Sequence, residues 1–235
     1  ITRGRYRRAI HTGLDLNPQQ TPGLAGESYL TDYITNQLVN EYGAERVRRG
    51  GLRIFTTLDA KMQTQATQAI IGTLGHKGDP AGSIVSIDPK TGEIRAMAIA
   101  QKGKHIAYDL PVNGHRQAGS TFKMFALTAA VERKINPYST KYLSAPFLES
   151  DGTRIQTYEH TYSGRIPLTQ ATLLSDNTVY ARLTLDVGPK PVADLAHSMG
   201  IQSTLKPVPT IGLGVNAVSP LDLATAYATL ADGGV

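Results

Sequence analysis

Gly119-Ser120-Thr121-Phe122-Lys123 places a hydroxyl and an amine three residues apart. A free serine hydroxyl is a poor nucleophile and needs a partner that takes its proton. Lysine can be that partner once burial disfavours its charged form, and the neighbouring Phe122 and Phe125 predict such burial. At a helix start this spacing sets both side chains on one face, and the helix N-terminus favours negative charge developing near Ser120. The same spacing recurs at Ser203-Thr204-Leu205-Lys206, but there Pro207 pushes the lysine away from helical geometry. Only the first copy opens a long apolar helix, and the second is read as a chance match.

Ser175-Asp176-Asn177 lies downstream, just inside or after a helical stretch. In a short loop between helices, a hydroxyl and a carboxamide two residues apart can both face a cleft. Ser175 is then placed to pass a proton between Lys123 and a leaving amine. Asn177 is placed to hold the lysine and bind a substrate amide. Taken singly, the tripeptide is as well explained as a helix cap, because these residue types hydrogen-bond locally to backbone. Its combination with Ser120 and Lys123 points instead to nucleophilic acyl transfer.

The elements that must position these groups follow from periodicity. Residues 1–26 read as a connector, with turn signals at Asn17-Pro18 and Thr21-Pro22-Gly23. Tyr29, Tyr33, Ile34, Leu38 and Val39 predict a helix that stops near Gly43. Leu52–Leu58 alternates like a strand, and Asp59 caps a helix through Met62, Ala66 and Ile70. Strands over 83–87 and 94–99 flank an Asp88–Glu93 hairpin turn. Residues 100–118 read as a loop. Phe122, Phe125, Ala126, Ala129 and Ala130 form the apolar stripe of the helix after Ser120. Residues 136–165 read as irregular, helices follow at about 168–185 and 191–199, and a last helix runs from Ser219-Pro220 to Gly233-Gly234.

Composition narrows the function classes. The 235 residues, 40% apolar and 18% charged, suffice for a globular domain with a real core. Without cysteine, thiol nucleophiles, disulfides and Cys-ligated zinc are excluded. Part of the net charge of +5 is local, at Arg3, Arg5, Arg7 and Arg8 and at Arg46, Arg48, Arg49 and Arg53. These read as solvated faces, and no aromatic residues interleave with them to suggest nucleic-acid recognition. The six histidines show no metal-ligand spacing, and there is no phosphate-binding Gly-x-x-x-x-Gly-Lys loop and no Gly-x-Ser-x-Gly elbow. No apolar stretch is long enough to span a membrane.

Together these motifs resemble a known family. SxxK, S-D-N and K-T-G form the signature of penicillin-binding proteins and class A β-lactamases. Arg116–Lys123 resembles the active-site segment of bifunctional (class A) penicillin-binding proteins, with Ala118 where that family usually has proline. Gly51–Asp59 is similar to their linker between glycosyltransferase and transpeptidase domains. Gly212-Leu213-Gly214 with Val218–Ala224 resembles their helical segment after S-x-N.

The resemblance implies an α+β, penicillin-binding protein/β-lactamase-like transpeptidase fold: an antiparallel sheet with helices on both sides and a helical body, incomplete at the C-terminus. Residues 1–82 would be a linker following a glycosyltransferase domain, and 83–235 the N-terminal part of the transpeptidase domain. The implied activity is D-Ala-D-Ala transpeptidation, with Ser120, Lys123, Ser175 and Asn177 as catalytic residues and no cofactor or metal. The implied ligands are peptidoglycan stem peptides and β-lactam antibiotics, with no nucleic acid. The implied location is the extracytoplasmic face of the bacterial membrane, with the anchor outside this chain.

The only Lys-Thr-Gly, Lys90-Thr91-Gly92, precedes the nucleophile and reads as a turn. The family's K-T-G strand is therefore expected in a C-terminal remainder of the domain, on a separate chain of a clipped molecule or lost. Two alternatives share the nucleophile. A β-lactamase needs a deacylating glutamate between S-D-N and K-T-G, and no glutamate follows Glu159. A β-lactam sensor domain is disfavoured by the linker-like 51–59.

Overall fold

The hairpin predicted over 83–99 forms as β1 (Gly82–Ile87) and β2 (Ile94–Ala100), antiparallel, with a register shift between Ser86 and Ile87. The computed structural model describes Thr2, residues 28–104, Ile106 and residues 108–234, so the 1–26 connector apart from Thr2, its arginine cluster included, and His105 lie outside the described residues. The chain divides into two compact units, 1–48 and 49–235. The first contains α1 (Ser28–Tyr42) and α2 (Ala44–Arg48), separated by Gly43 at φ +83°, where the helix is expected to stop.

The second unit contains everything that positions the site. Asp59 accepts from the Met62 amide and caps α3 (Ala60–Thr73). Ala66 and Ile70 of this helix pack on Ala96, Ala98 and Ala100, which share one face of β2 by the strand's two-residue repeat. Gln63 donates to the Met97 carbonyl at 2.9 Å and accepts from the Met97 amide at 2.8 Å, closing that stretch of the β2 edge. Met97 and Ile99, on the other face, are buried too, and α4 (Leu110–Asn113) and α9 (Pro220–Ala231) also pack against the hairpin. Among the described residues no helix is long and apolar enough to cross a membrane.

The helical body is built on α5 (Lys123–Glu132), which follows a 3-10 turn over Gly119–Phe122. All five residues of the predicted stripe are buried. They join one apolar core with α7 (Asn177–Val187) and α8 (Pro189–Ser198). Ser219 accepts from the Asp222 amide and caps α9, with Pro220 at its first position as expected.

Four expectations are corrected. Leu52–Leu58 forms no ladder: among the described residues its hydrogen bonds to β2 are Thr57 Oγ1 to Ile94 O and Arg95 Nη1 to Thr57 O, with Asp59 N to Arg95 O just beyond it, and Phe55 is 83% exposed. Alternation is not sufficient for a strand without a neighbour to pair with. Residues 100–118 hold α4, capped by Asp109, and β3 (Arg116–Gln117). Residues 136–165 contain β4 (Lys141–Ser144), β5 (Phe147–Leu148) and β6 (Arg154–Ile155), and lead into β7 (Gly164–Pro167); β4 pairs with β7 and β5 with β6. These strands are too short to carry a visible period. The helix expected over 168–185 is two helices, α6 (Leu168–Leu173) and α7, because Ser175 turns to φ +51° and Asp176 starts a new cap.

The turn before α5 is held from the far end of the chain. β3 pairs with β8 (Ala217–Val218), and the Gly119 amide donates to the Gly214 carbonyl at 3.1 Å. A Cβ on Gly214 would lie 2.1 Å from Gly119 O and 2.4 Å from Gly119 N, at φ +74°. Gly92, in the hairpin turn, has φ +70° but open space around it. Gly214→Ala should therefore cost ~2–4 kcal/mol, combining left-handed strain with overlap. Gly92→Ala should cost only about 1 kcal/mol of conformational strain. Denaturant unfolding of both variants checks the difference, and equal costs would mean that the Gly214–Gly119 approach is not constraining.

Candidate active site

Ser120 lies in the 3-10 turn, and Lys123 is the first residue of α5. In a 3-10 turn side chains at i and i+3 eclipse, and Lys123 Nζ sits 3.1 Å from Ser120 Oγ. The α5 stripe pulls the lysine down with it: Lys123 is only 4% exposed. Its amine meets Ser175 O at 2.6 Å, Ser175 Oγ at 2.9 Å and Asn177 Oδ1 at 2.7 Å. Ser175 Oγ is in turn 3.0 Å from Ser120 Oγ. All four predicted residues are thus brought together, in the short inter-helix loop expected for Ser175-Asp176-Asn177.

Burial pushes the Lys123 amine down from 10.5 to about 8, while the nearby Asp176 carboxyl pulls it back up. The ring of Tyr180, 5.6 Å from the amine, also favours the charged form. The neutral amine has two protons and one lone pair. Two of its four neighbours, Ser175 O and Asn177 Oδ1, are carbonyl oxygens that can only accept. They take the two protons, so the lone pair faces the hydroxyls of Ser120 and Ser175. This arrangement can draw the proton from Ser120.

Asp176, which no chemical role singled out, organises the loop. It is 3% exposed, and its Oδ1 accepts from Thr178 N at 2.8 Å, Thr178 Oγ1 at 2.7 Å and Val179 N at 3.0 Å, forming the α7 cap. Its Oδ2 accepts from Ser144 Oγ of β4 at 2.5 Å, and Ser144 Oγ accepts from the Ser163 amide at 3.0 Å. Neither Ser144 nor Ser163 carries a sequence signal, because the link is made only by tertiary pairing. Tyr227 of α9 donates to Thr121 O at 2.7 Å and steadies the turn that bears Ser120.

The cleft in front of Ser120 is about 440 Å³ and is lined by the Leu174–Asn177 loop on one side and Thr157, Tyr158, Glu159, Thr161 and Ser163 on the other. The second Ser-x-x-Lys has no such surroundings. Ser203 Oγ and N both donate to the Asp222 carboxylate, no helix forms there, and Lys206 is exposed. Lys90-Thr91-Gly92 is a hairpin turn, as read. Among the described residues, no group of three or more His, Asp or Glu side chains could hold a metal ion.

The profile of the penicillin binding protein transpeptidase domain matches residues 82–235. The chain belongs to that family. It is 34% identical over 221 residues to penicillin-binding protein 1A of Mycobacterium tuberculosis, covering 86% of this chain and 26% of that protein. It is 28% identical over 220 residues to penicillin-binding protein 2D of Bacillus subtilis, covering 88% of this chain and 31% of that one. The chain thus spans less than a third of the length of these relatives. The solved structure of the penicillin-binding protein PonA1 from Mycobacterium tuberculosis superposes with a TM-score of 0.79 at 32% identity, over 89% of this chain and 58% of that one. PonA1 in complex with penicillin V gives a TM-score of 0.78 at 31% identity, over 88% of this chain and 58% of that one. The α+β architecture, with helices packed on an antiparallel hairpin beside a helical body, is that of this transpeptidase domain family.

Ala118 has φ −67°, the proline value, and its amide makes only a long 3.4 Å contact to Asn216 O. Ser144→Ala should cost about 1–3 kcal/mol, since it removes the donor to a buried carboxyl and the acceptor of the Ser163 amide. Hydrogen exchange should show the Ser163 amide losing protection before the amides of β7. Unchanged protection there would show that Ser144 does not tie the loop to Asp176.

Proposed function

We propose that this protein is a serine-type peptidoglycan transpeptidase that forms an acyl-enzyme on Ser120. The observation that carries this reading is the buried Lys123 amine, 3.1 Å from Ser120 Oγ and within hydrogen-bond reach of Ser175 and Asn177. In the first step Ser120 Oγ bonds to the carbonyl carbon of a D-Ala-D-Ala stem peptide, and its proton passes to Lys123 Nζ. Collapse breaks the C–N bond, and the leaving D-Ala amine takes that proton through Ser175 Oγ. In the second step an amine from a neighbouring stem attacks the ester. Its proton passes to Lys123, the C–O bond breaks and Ser120 is released with a proton restored. Splitting amide exchange in two replaces one hard step with two easier ones. Asn177, held between Lys123 and the Gln156 carbonyl at 3.4 Å, orients the base and borders the cleft where a substrate amide would lie.

A β-lactam presents the same amide in a ring, so its leaving amine stays tethered and the ester persists. The penicillin V complex of PonA1 supports this reading. The family membership supports an extracytoplasmic site of action and residues 1–82 as a connector ahead of the transpeptidase fold. Hydrolytic β-lactamase action finds no support in a glutamate after Ser175-Asp176-Asn177.

Benzylpenicillin should add its full mass to the peptide containing Ser120, and Ser120→Ala should abolish the adduct. Absence of the wild-type adduct would count decisively against acyl transfer. The pH profile should follow the neutral fraction of Lys123. With a value of about 8, the acylation rate should rise roughly tenfold per unit below pH 7 and level off above about pH 8. A rate still climbing tenfold per unit beyond pH 9 would show that burial has not shifted this amine.

A further inference from the structure

The wall of the cleft opposite Ser175 is a fixed loop that presents one exposed charge. The segment between β6 and β7 is gripped at both ends by the tripeptide that holds Lys123. Asn177 Nδ2 donates to Gln156 O at 3.4 Å, and Asp176 reaches the Ser163 amide through Ser144. Between these anchors Thr157 Oγ1 donates to Thr161 O at 2.8 Å, His160 N donates to Thr157 O at 3.3 Å, and His160 turns at φ +56°. The turn carries Tyr158 and Glu159 into the lining of the cleft. Glu159 is exposed, and among the described residues its carboxylate has no hydrogen-bond or ion-pair partner. Asp176, the other acid of the lining, is buried and accepts from several donors, so Glu159 is the one exposed, unpaired charge among the lining residues.

We infer that Glu159 is a specificity-determining residue that recruits the acyl acceptor as an ammonium ion. The inference rests on the acyl-transfer reading. That reaction brings one obligatory anion, the donor's terminal carboxylate, and one obligatory cation, the acceptor's amino group, which is protonated in water. A carboxylate on the wall repels the first and attracts the second. The Glu159 wall is therefore the acceptor's side of the cleft. It raises the local concentration of amine against the competing nucleophile, water, and so favours cross-linking over hydrolysis. The docked ammonium first releases its extra proton to water, and the neutral amine then attacks, its next proton passing to Lys123 and on to the Ser120 oxygen, so the carboxylate recruits and does not act as the base.

The test uses the full-length protein, a D-alanyl thioester donor and two acceptors at pH 8. One is the side-chain amine of Nα-acetyl-lysine amide, a cation. The other is hydroxylamine, uncharged at that pH. Product ratios give each acceptor's partition against hydrolysis. Glu159→Gln should lower the lysine-type partition about fivefold relative to that of hydroxylamine, the scale of one partly screened ion pair. Glu159→Asp should restore part of it, and raised salt should weaken the wild-type preference. Equal effects on both acceptors, or none, overturn the inference. So does a longer-lived penicilloyl enzyme in Glu159→Gln with unchanged partition, which would make Glu159 the base for water. Penicillin trapping of wild-type Ser120 tests the acyl-transfer reading separately, so the failure of one is distinguishable from the failure of the other.

Discussion

A lysine amine taken out of water needs partners, and every element around Ser120 answers to that need. Desolvation of a charge costs several kcal/mol even after relaxation, so Lys123 could not be 4% exposed unless acceptors were carried to it. They come from Ser175 and Asn177, in the loop that leads into α7 and at its first residue, which must therefore lie against the start of α5. The apolar core shared by α5, α7 and α8 supplies that packing. The balance is set between two effects: burial lowers the amine's affinity for a proton, and the nearby Asp176 restores part of it. The result is an amine poised near physiological pH rather than one fixed in either form.

Position along the chain is settled by backbone approach more than by side chains. The Gly119 turn is held by the Gly214 carbonyl and by the β3–β8 pair, and both sides are close enough that a methyl group cannot be placed between them. Gly212 is under a similar constraint, since its Cβ would lie 2.1 Å from Thr184 Oγ1. The segments around 116–123 and 212–224, far apart in sequence, are two sides of one seam. Their joint likeness to the family has a geometric cause.

What was legible in the sequence was whatever local chemistry dictates. The Asp59 and Ser219 caps, the 83–99 hairpin and the buried stripe after Ser120 all follow from neighbours within a turn or a strand, and all appear in the fold. The grouping of Ser120, Lys123, Ser175 and Asn177 was legible because each residue type has a chemical task that the others complete. The 136–165 region was not, since its strands are two to four residues long and are paired across a gap that no period reveals. Leu52–Leu58 failed in the opposite sense, with a strand's alternation and no strand beside it. Ser144 and Ser163 were invisible because serine is common and their meaning is a contact with Asp176.

The two Ser-x-x-Lys copies separate spacing from environment within one molecule. Ser203 spends its hydroxyl and amide on the Asp222 carboxylate, an acceptor that fixes the hydroxyl proton and leaves it no route to a base. Lys206 stands in solvent, outside any helix. Ser120 has a rotatable hydroxyl facing an amine that two carbonyl oxygens have stripped of other uses. The chemistry thus belongs to the acceptors around the lysine, not to the three-residue interval. Asp176 and Asn177, which help to set up those acceptors, also anchor the 156–163 side of the cleft through Ser144 and Gln156, so the lysine's surroundings and that side of the cleft rest on one set of hydrogen bonds.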